Sequence, residues 1–310
     1  MKIVFMGTPD FAVPTLNALI ESEHEVLAVF TQPDKAVGRK QIMTPPPVKV
    51  CAEAASIPVH QPNSLRNEVT AELLSSMSPD VIVVVAYGKI LPENILSIPK
   101  FGCINGHASL LPRHRGASPI QWSIVCGDKK TGVTTMLMEK GLDTGDMLLK
   151  EEVTIGDDET GEELHDRLSE VTASLMLKTL TAVERGIVTP KKQDDSASTY
   201  APIITREMGH IDFKKSSLEV HNLIRGFYSW PASYFLLDGK RIKVLSAKIS
   251  KKTDASAGTV IESTNELAVA CGDGYSVSLL EIQPEGSKRM TATEYLKGHV
   301  VEKGTVIESE

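Results

Sequence analysis

The chain has 310 residues, of which 41% are hydrophobic and 24% are charged, and its formal net charge is −7. This length and composition predict about two globular domains with a sizeable apolar core. The negative charge argues against a protein that binds nucleic acid by overall charge alone. The acidity lies in residues 1–204, however, and residues 205–310 are neutral overall, so the second part could still present a basic face.

Cysteine spacing and hydropathy limit the class of protein further. The four cysteines show no C-x-x-C or similar pairing, which predicts free thiols, no metal and a reducing cytoplasm. The N-terminus enters a strand pattern directly and has no signal-type apolar region. No apolar run reaches the ~18 residues that span a bilayer, and no apolar heptad pattern is present, so we expect no membrane attachment and a monomer.

The first half of the chain alternates strand and helix patterns. Their order predicts an α/β fold with a doubly wound, mostly parallel, Rossmann-like sheet, whose site should lie at the carboxyl ends of the strands. The turn after the first strand lacks a G-x-G-x-x-G or P-loop pattern, so the fold alone implies no nicotinamide or ATP site. The predicted strands cover 2–6, 25–31, 80–87 and 102–107, and the predicted helices cover 14–20, 48–56, 63–76 and 118–126.

In the second half of the chain the regular alternation of strand and helix patterns ends. Strands at 133–138 and 147–155 flank a glycine-bounded loop, and a long helix at 160–185 opens with a capping box. Polar residues 190–205 are interpreted as a linker between a catalytic domain at 1–189 and a second domain at 206–310. That domain combines a helix with short strands and tight turns, which predicts a small OB-like β-barrel. The helix covers 218–226, and the strands cover 233–237, 241–247, 259–262, 267–270 and 275–282.

Three polar residues form the candidate catalytic group. Asn105 and His107 are two apart at the end of a predicted strand, where their side chains share a face. Asp143 lies in the loop between two later strands. An amide donor, an imidazole and a carboxylate suit acyl transfer through a tetrahedral intermediate. The alternative is that all three are ordinary hydrogen-bonded residues, and Cys103, on the same face, is better interpreted as a buried apolar thiol than as a nucleophile.

Basic residues occur in two other places. The long segment 33–49 has a net charge of +3 and could contact phosphates, or it could be an ordinary solvated loop. Lys240, Arg241 and Lys243 lie in the second domain and suit phosphate contacts or a plain exposed face. The aromatic residues just upstream could stack on bases but more often form the core of a small barrel. These residues are Tyr228, Trp230, Tyr234 and Phe235.

Three motifs together resemble those of the formyltransferases that use 10-formyltetrahydrofolate. They are Asn-x-His at 105–107, Ser-Leu-Leu-Pro at 109–112 and Gly-Leu-Asp-Thr-Gly at 141–145. The resemblance covers nearly the whole chain, and the loop at 33–49 and the second domain are similar to the branch of the family that acts on tRNA. It implies transfer of a formyl group from 10-formyltetrahydrofolate to the α-amine of methionyl-initiator tRNA, with no metal.

The resemblance also implies roles for individual residues. Asn105, His107 and Asp143 match the family's catalytic residues. Arg39, with Lys40, matches the loop that meets the tRNA acceptor end, and Lys240, Arg241 and Lys243 would contact tRNA from the second domain. The residues that match its folate-binding segments are Ser109, Leu110, Leu111, Pro112, Tyr87, Gly88, Ile90 and Leu91.

The chain departs from the family pattern at three points. Gly106 stands where a branched apolar residue is usual, Lys89 replaces an apolar residue, and 283–288 is looser than the usual pattern. Two other functions stay open. One is formylation of a small amine such as an amino sugar or a glycinamide ribonucleotide. The other is a tRNA-binding module whose catalytic domain has decayed.

Overall fold

The computed structural model describes residues 1–38 and 40–307, which form two compact units. The first unit consists of 1–116, 131–154 and 165–201, and the second of 117–130, 155–164 and residues from 202 onwards. Strands of the first unit are β1 (Lys2–Gly7), β2 (Glu25–Phe30), β3 (Lys35–Val37), β4 (Ile42–Thr44), β5 (Val59–His60), β6 (Val81–Val85), β7 (Cys103–His107), β8 (Arg115–Gly116), β9 (Lys130–Leu137), β10 (Met147–Thr154) and β11 (Tyr200–Ala201). Those of the second are β12 (Ser233–Leu237), β13 (Lys240–Lys252), β14 (Val260–Glu262), β15 (Leu267–Ala270), β16 (Tyr275–Pro284) and β17 (Met290–Thr291).

Helices complete both units. They are α1 (Val13–Ile20), α2 (Pro47–Ala54), α3 (Glu68–Met77), α4 (Glu93–Leu96), α5 (Pro119–Val125), α6 (Gly161–Glu184), α7 (Ser217–Gly226) and α8 (Ala292–Gly298). None of the helices within the described ranges combines the length and hydropathy needed to cross a bilayer. In those same ranges, His, Cys, Asp and Glu side chains form no group of three or more that could hold a metal ion.

The first unit is built on a Rossmann-like sheet in the order β10-β9-β7-β6-β1-β2-β5. Pairing is parallel from β7 through β6 and β1 to β2 and β5, and it becomes antiparallel between β7 and β9. Every residue of β6 is buried, as expected for an apolar strand covered on both faces. This confirms the predicted mostly parallel, doubly wound sheet.

The second unit contains an antiparallel sheet in the order β12-β13-β16-β15-β14, with β17 also paired to β16. The long strands β13 and β16 carry register shifts along their pairing, and such irregularities bend and twist a sheet. The curled sheet packs on α7 and α8 around an apolar core that includes Phe213, Ile224 and Phe235. The predicted OB-like class is confirmed, as a curled half-barrel.

Two local predictions are wrong. The predicted helix at 63–76 starts only at Glu68, because the side chain of Asn67, not Asn63 or Ser64, accepts the N–H of Thr70 at 3.1 Å and caps the helix. The segment 33–49, interpreted as a loop without strands, contains the antiparallel hairpin of β3 and β4 before α2 begins at Pro47. Positive φ angles at Gly38 (71°) and Gln41 (49°) form the turn between the two strands.

Candidate active site

Asn105 and His107 lie at the carboxyl end of β7, between its parallel neighbour β6 and its antiparallel neighbour β9. Asn105 is half-buried, and His107 is only 6% exposed. Because they are two apart in an extended strand, both side chains leave the same face of the sheet. The strand therefore presents an amide and an imidazole together at the sheet edge where ligands bind in this class of fold.

The His107 imidazole is oriented by a backbone carbonyl. Nε2 lies 2.9 Å from the carbonyl oxygen of His114. A carbonyl oxygen only accepts hydrogen bonds, so Nε2 carries the proton and donates it. Nδ1 then faces the Asp143 carboxylate, with 3.7 Å between Nδ1 and Oδ1. That distance is longer than a hydrogen bond, so Asp143 acts on the imidazole mainly through its charge.

The Asp143 loop joins β9 to β10 and is fixed by contacts from distant parts of the chain. Asp143 has φ of 53°, and its Oδ2 accepts the backbone N–H of Gly116 at 2.8 Å. Gln193 donates its amide to the carbonyl oxygens of both Asp143 and Gly145, each at 2.8 Å. Gly145 is required because a Cβ there would lie 1.8 Å from the carbonyl oxygen of Leu137. The carboxylate is therefore held close to Nδ1 of His107.

The predicted folate segment 109–112 is anchored to β9 and β10. Thr134 donates to the carbonyl of Ser109 at 2.7 Å and accepts the N–H of Leu111 at 3.1 Å. The Lys150 ammonium donates to the carbonyl of Leu111. The Ser109 and Leu111 side chains are fully buried, whereas Leu110 and Pro112 are partly exposed. Only the latter two side chains are open to a ligand in this structure, and the predicted role of the segment stays a prediction.

The second predicted folate segment, 87–91, follows β6. Tyr87 and Leu91 are buried in the apolar core on one side of the sheet, whereas Ile90 is 74% exposed. Burial raises the pKa of the Tyr87 phenol to about 12, and its hydroxyl has no hydrogen-bond partner within the described residues. The Tyr87 carbonyl accepts from Thr8 at 2.9 Å and from Gln32 at 3.1 Å.

The two other residues of this segment shape its backbone. Gly88 has φ of 79°, a conformation that favours glycine. Lys89 is one of the departures from the family pattern, and its side chain makes polar contacts. Its ammonium donates to the carbonyls of Pro62 and, at 3.0 Å, of Asn63. Lys89 therefore ties the segment to the chain that precedes α3.

The residues predicted to contact tRNA are distributed over both units. Arg39 lies outside the described residues, and its neighbour Lys40 is exposed. In β13, Lys240 and Arg241 are exposed and Lys243 is half-buried, and the Arg241 guanidinium lies 4.2 Å above the Tyr234 ring. The upstream aromatic residues divide as follows: Phe235 is fully buried in the core, Trp230 is 53% exposed, and Tyr228 and Tyr234 are partly exposed.

The residues that hold the candidate catalytic group in place have no signature in the sequence. His114 acts through its carbonyl, which no residue-type pattern reveals. Gln193 lies in the polar stretch interpreted as a linker, yet its side chain is buried and bonded to the Asp143 loop. Near it, the backbone of Lys191 pairs with Met147, and β11 pairs with β8. A single buried glutamine flanked on both sides by exposed residues leaves no periodic signal.

Comparison with known proteins identifies the family. Residues 1–180 match the formyl transferase model, and residues 203–300 match the formyl transferase C-terminal domain model. The chain is 50% identical to a methionyl-tRNA formyltransferase of Caldanaerobacter subterraneus subsp. tengcongensis, over 99% of this chain and 100% of that protein. The chain belongs to the methionyl-tRNA formyltransferase family. A second relative with this name, from Alkaliphilus oremlandii, is 48% identical over 99% of both chains.

Solved structures share the fold at much lower identity. The sugar 3N-formyl transferase WlaRD aligns with a TM-score of 0.69 at 20% identity, over 93% of this chain and 99% of that one. An N-formyltransferase from Helicobacter canadensis aligns with a TM-score of 0.70 at 19% identity, over 92% and 99% of the two chains. At this level of identity, the alignments show a shared fold.

Proposed function

We propose that the protein transfers the formyl group of 10-formyltetrahydrofolate to the α-amine of methionyl-initiator tRNA, as a cytoplasmic monomer that needs no metal. The observation that carries the proposal is 50% sequence identity to a methionyl-tRNA formyltransferase over 99% of the chain. Asn105, His107 and Asp143 are all present, and His107 faces Asp143. Residues 1–189 supply the catalytic domain, 190–205 form the connection, and 206–310 hold the acceptor arm of the tRNA.

The catalytic step follows from which nitrogen of His107 is free. Nε2–H is engaged by the His114 carbonyl, so only Nδ1 can meet the substrate. In its protonated form, Nδ1–H donates to the formyl oxygen together with the Asn105 amide, and both stabilise the negative charge that develops there. The nearby Asp143 carboxylate balances the charge of the imidazolium.

Bond making and breaking then balance without a covalent enzyme intermediate. The amine nitrogen forms a bond to the formyl carbon, and the bond between that carbon and N10 of the folate breaks. Asp143, directly or through water, takes the proton that the amine loses and passes it to the departing N10. The products are formylmethionyl-tRNA and tetrahydrofolate.

Binding roles are assigned to the remaining predicted residues. Side chains of Leu110, Pro112 and Ile90 contact the folate, while Ser109, Leu111, Tyr87, Gly88 and Leu91 shape its site through the backbone and the core. Arg39 and Lys40 meet the acceptor end of the tRNA. Lys240, Arg241 and Lys243 contact its phosphates, a role that fits their exposed or half-exposed positions on one strand.

The deciding experiment is transfer of labelled formyl from 10-formyltetrahydrofolate to methionyl-initiator tRNA, with free methionine and methionyl-elongator tRNA as controls. We expect rapid formylation of the initiator alone. Transfer to an amino sugar, with none to tRNA, would keep the catalytic group and refute the acceptor. Binding of tRNA by the full chain without transfer or folate turnover would indicate a binding module with a decayed site.

A further inference from the structure

We propose that Gln193 is a positioning residue that acts on the reaction through Asp143; this inference rests on the proposed function. Gln193 comes fifty residues after Asp143, from a polar stretch with no strand or helix of its own at that point. It is 6% exposed, although its neighbours Lys192 and Asp194 are exposed. A glutamine is rarely buried without bonded partners, so its contacts define its role.

Both ends of the Gln193 amide are hydrogen-bonded, the oxygen to one donor and the nitrogen to two acceptors. Its Oε1 accepts from Nε of Arg115 at 3.0 Å, and because a guanidinium only donates, this contact fixes which end of the amide is the oxygen. Its Nε2 must then point the other way, where it donates to the carbonyls of Asp143 and Gly145. Arg115 in turn pairs with Asp195 at 2.7 Å, which holds the guanidinium in place.

The same short strand supplies a second contact with the loop. Gly116, the residue after Arg115, donates its N–H to the Asp143 carboxylate, and both residues belong to β8, which pairs with β11. Asp143 is thus held at its backbone by Gln193 and at its side chain by Gly116. Since Asp143 adopts a positive φ angle outside regular structure, these two contacts decide where its carboxylate stands relative to His107.

The test uses Gln193→Glu and Gln193→Ala in the full-length protein. Glutamate keeps the shape and the Arg115 contact but replaces the donor with an acceptor that the two carbonyls repel. We expect both variants to lower kcat by about 10²-fold, the cost of a misplacement of about 1 Å, with KM for folate and tRNA little changed. Gln121→Ala, the same substitution at a half-buried position on α5, should leave both constants at the wild-type value.

A merely structural role is distinguished by combining each Gln193 variant with Asp143→Asn. If Gln193 acts through Asp143, the double variant loses no more activity than Asp143→Asn alone. If the losses multiply, or if KM rises while kcat is kept, the inference is overturned.

A second readout does not depend on activity. Hydrogen exchange at the Gly116 amide should accelerate in Gln193→Glu, because the carboxylate that protects it moves away; unchanged exchange would refute the positioning role. Failure of the wild-type protein to formylate tRNA would refute the proposed function instead, and the Gly116 exchange would still decide what Gln193 does to Asp143.

Discussion

Gly106, between Asn105 and His107, allows helix α6 to approach β7 closely. A Cβ at Gly106 would lie 2.7 Å from Cγ2 of Thr172, 3.4 Å from Cε of Met176 and 3.5 Å from Cγ2 of Val85. Only the first distance is well inside van der Waals contact, and Thr172 is fully buried. The family's usual branched residue at this position would therefore require the helix or Thr172 to move.

The perturbation that tests this packing is Gly106→Ala. Overpacking of a buried site costs about 1–3 kcal/mol, whereas replacing glycine by alanine recovers roughly 0.4–1 kcal/mol from the unfolded state. The net expectation is destabilisation of about 1–2 kcal/mol. At about 2–4 °C per kcal/mol for a domain of this size, the midpoint of thermal unfolding should fall by several degrees. The measurement is thermal or urea unfolding of the purified variant.

The matched control removes the atom that would clash. Thr172→Ser deletes Cγ2 but keeps the hydroxyl, which donates to the carbonyl of Leu168 at 2.7 Å. Losing one buried methyl should itself cost about 0.5–1.5 kcal/mol. In the Thr172→Ser background, Gly106→Ala fills the vacated space and should be neutral or stabilising. Equal losses from Gly106→Ala in both backgrounds would refute the assignment of the clash to the Thr172 methyl.

The remaining predictions concern the site and its surroundings. Asp143→Asn should leave the unfolding midpoint unchanged and lower turnover by about 10²–10⁴-fold, because it removes the carboxylate that carries the amine proton to N10 in the proposed step, and near-normal turnover would exclude its role. Arg39→Ala should raise KM for the charged tRNA and leave that for folate unchanged; if both constants stay the same, the residue does not meet tRNA. Burial raises the pKa of the Cys103 thiol to about 12, so this thiol should not react with iodoacetamide at neutral pH. In the native protein, peptide mass analysis should show alkylation at exposed Cys126 and not at Cys103, and rapid labelling of Cys103 would contradict its burial.

The parts of the fold that sequence predicts correctly are those with strong local patterns. The apolar run of β6 and the capping box at Thr160 and Glu163 define their elements within a few residues. The start of α3 is misplaced because several polar residues compete to cap it, and only the structure shows that Asn67 does so. The hairpin in 33–49 is missed because strands of three exposed residues carry no alternating burial pattern.

In the candidate site, too, the residues that follow a local pattern are predictable from sequence and the others are not. Asn105 and His107 are predictable as a pair because strand geometry alone places residues two apart on one face. Asp143 is grouped with them on its residue type, its loop position and the family resemblance, because no local pattern brings together residues some thirty positions apart. In the structure, the pairing of β7 with β9 does so. The contacts that orient the group are harder to predict: His114 contributes a backbone carbonyl, and the Gln193 side chain donates to backbone carbonyls of the Asp143 loop, so neither contact follows from a pattern of residue types.

Strand β9 links the anchored loop to the helix that covers Gly106. Successive residues of a strand point to opposite faces, so Thr134 and Thr135 diverge. Thr134 bonds the backbone of the 109–112 segment, while the hydroxyl of Thr135 lies 2.8 Å from that of Thr179 on α6. A side chain at position 106 that displaces α6 would therefore also move the 109–112 segment. The shift would be passed on by β9, through Thr135 and Thr134, and by β7 itself. The stability change expected for Gly106→Ala should for this reason be accompanied by a lower kcat, and in the Thr172→Ser background Gly106→Ala should lower neither stability nor kcat.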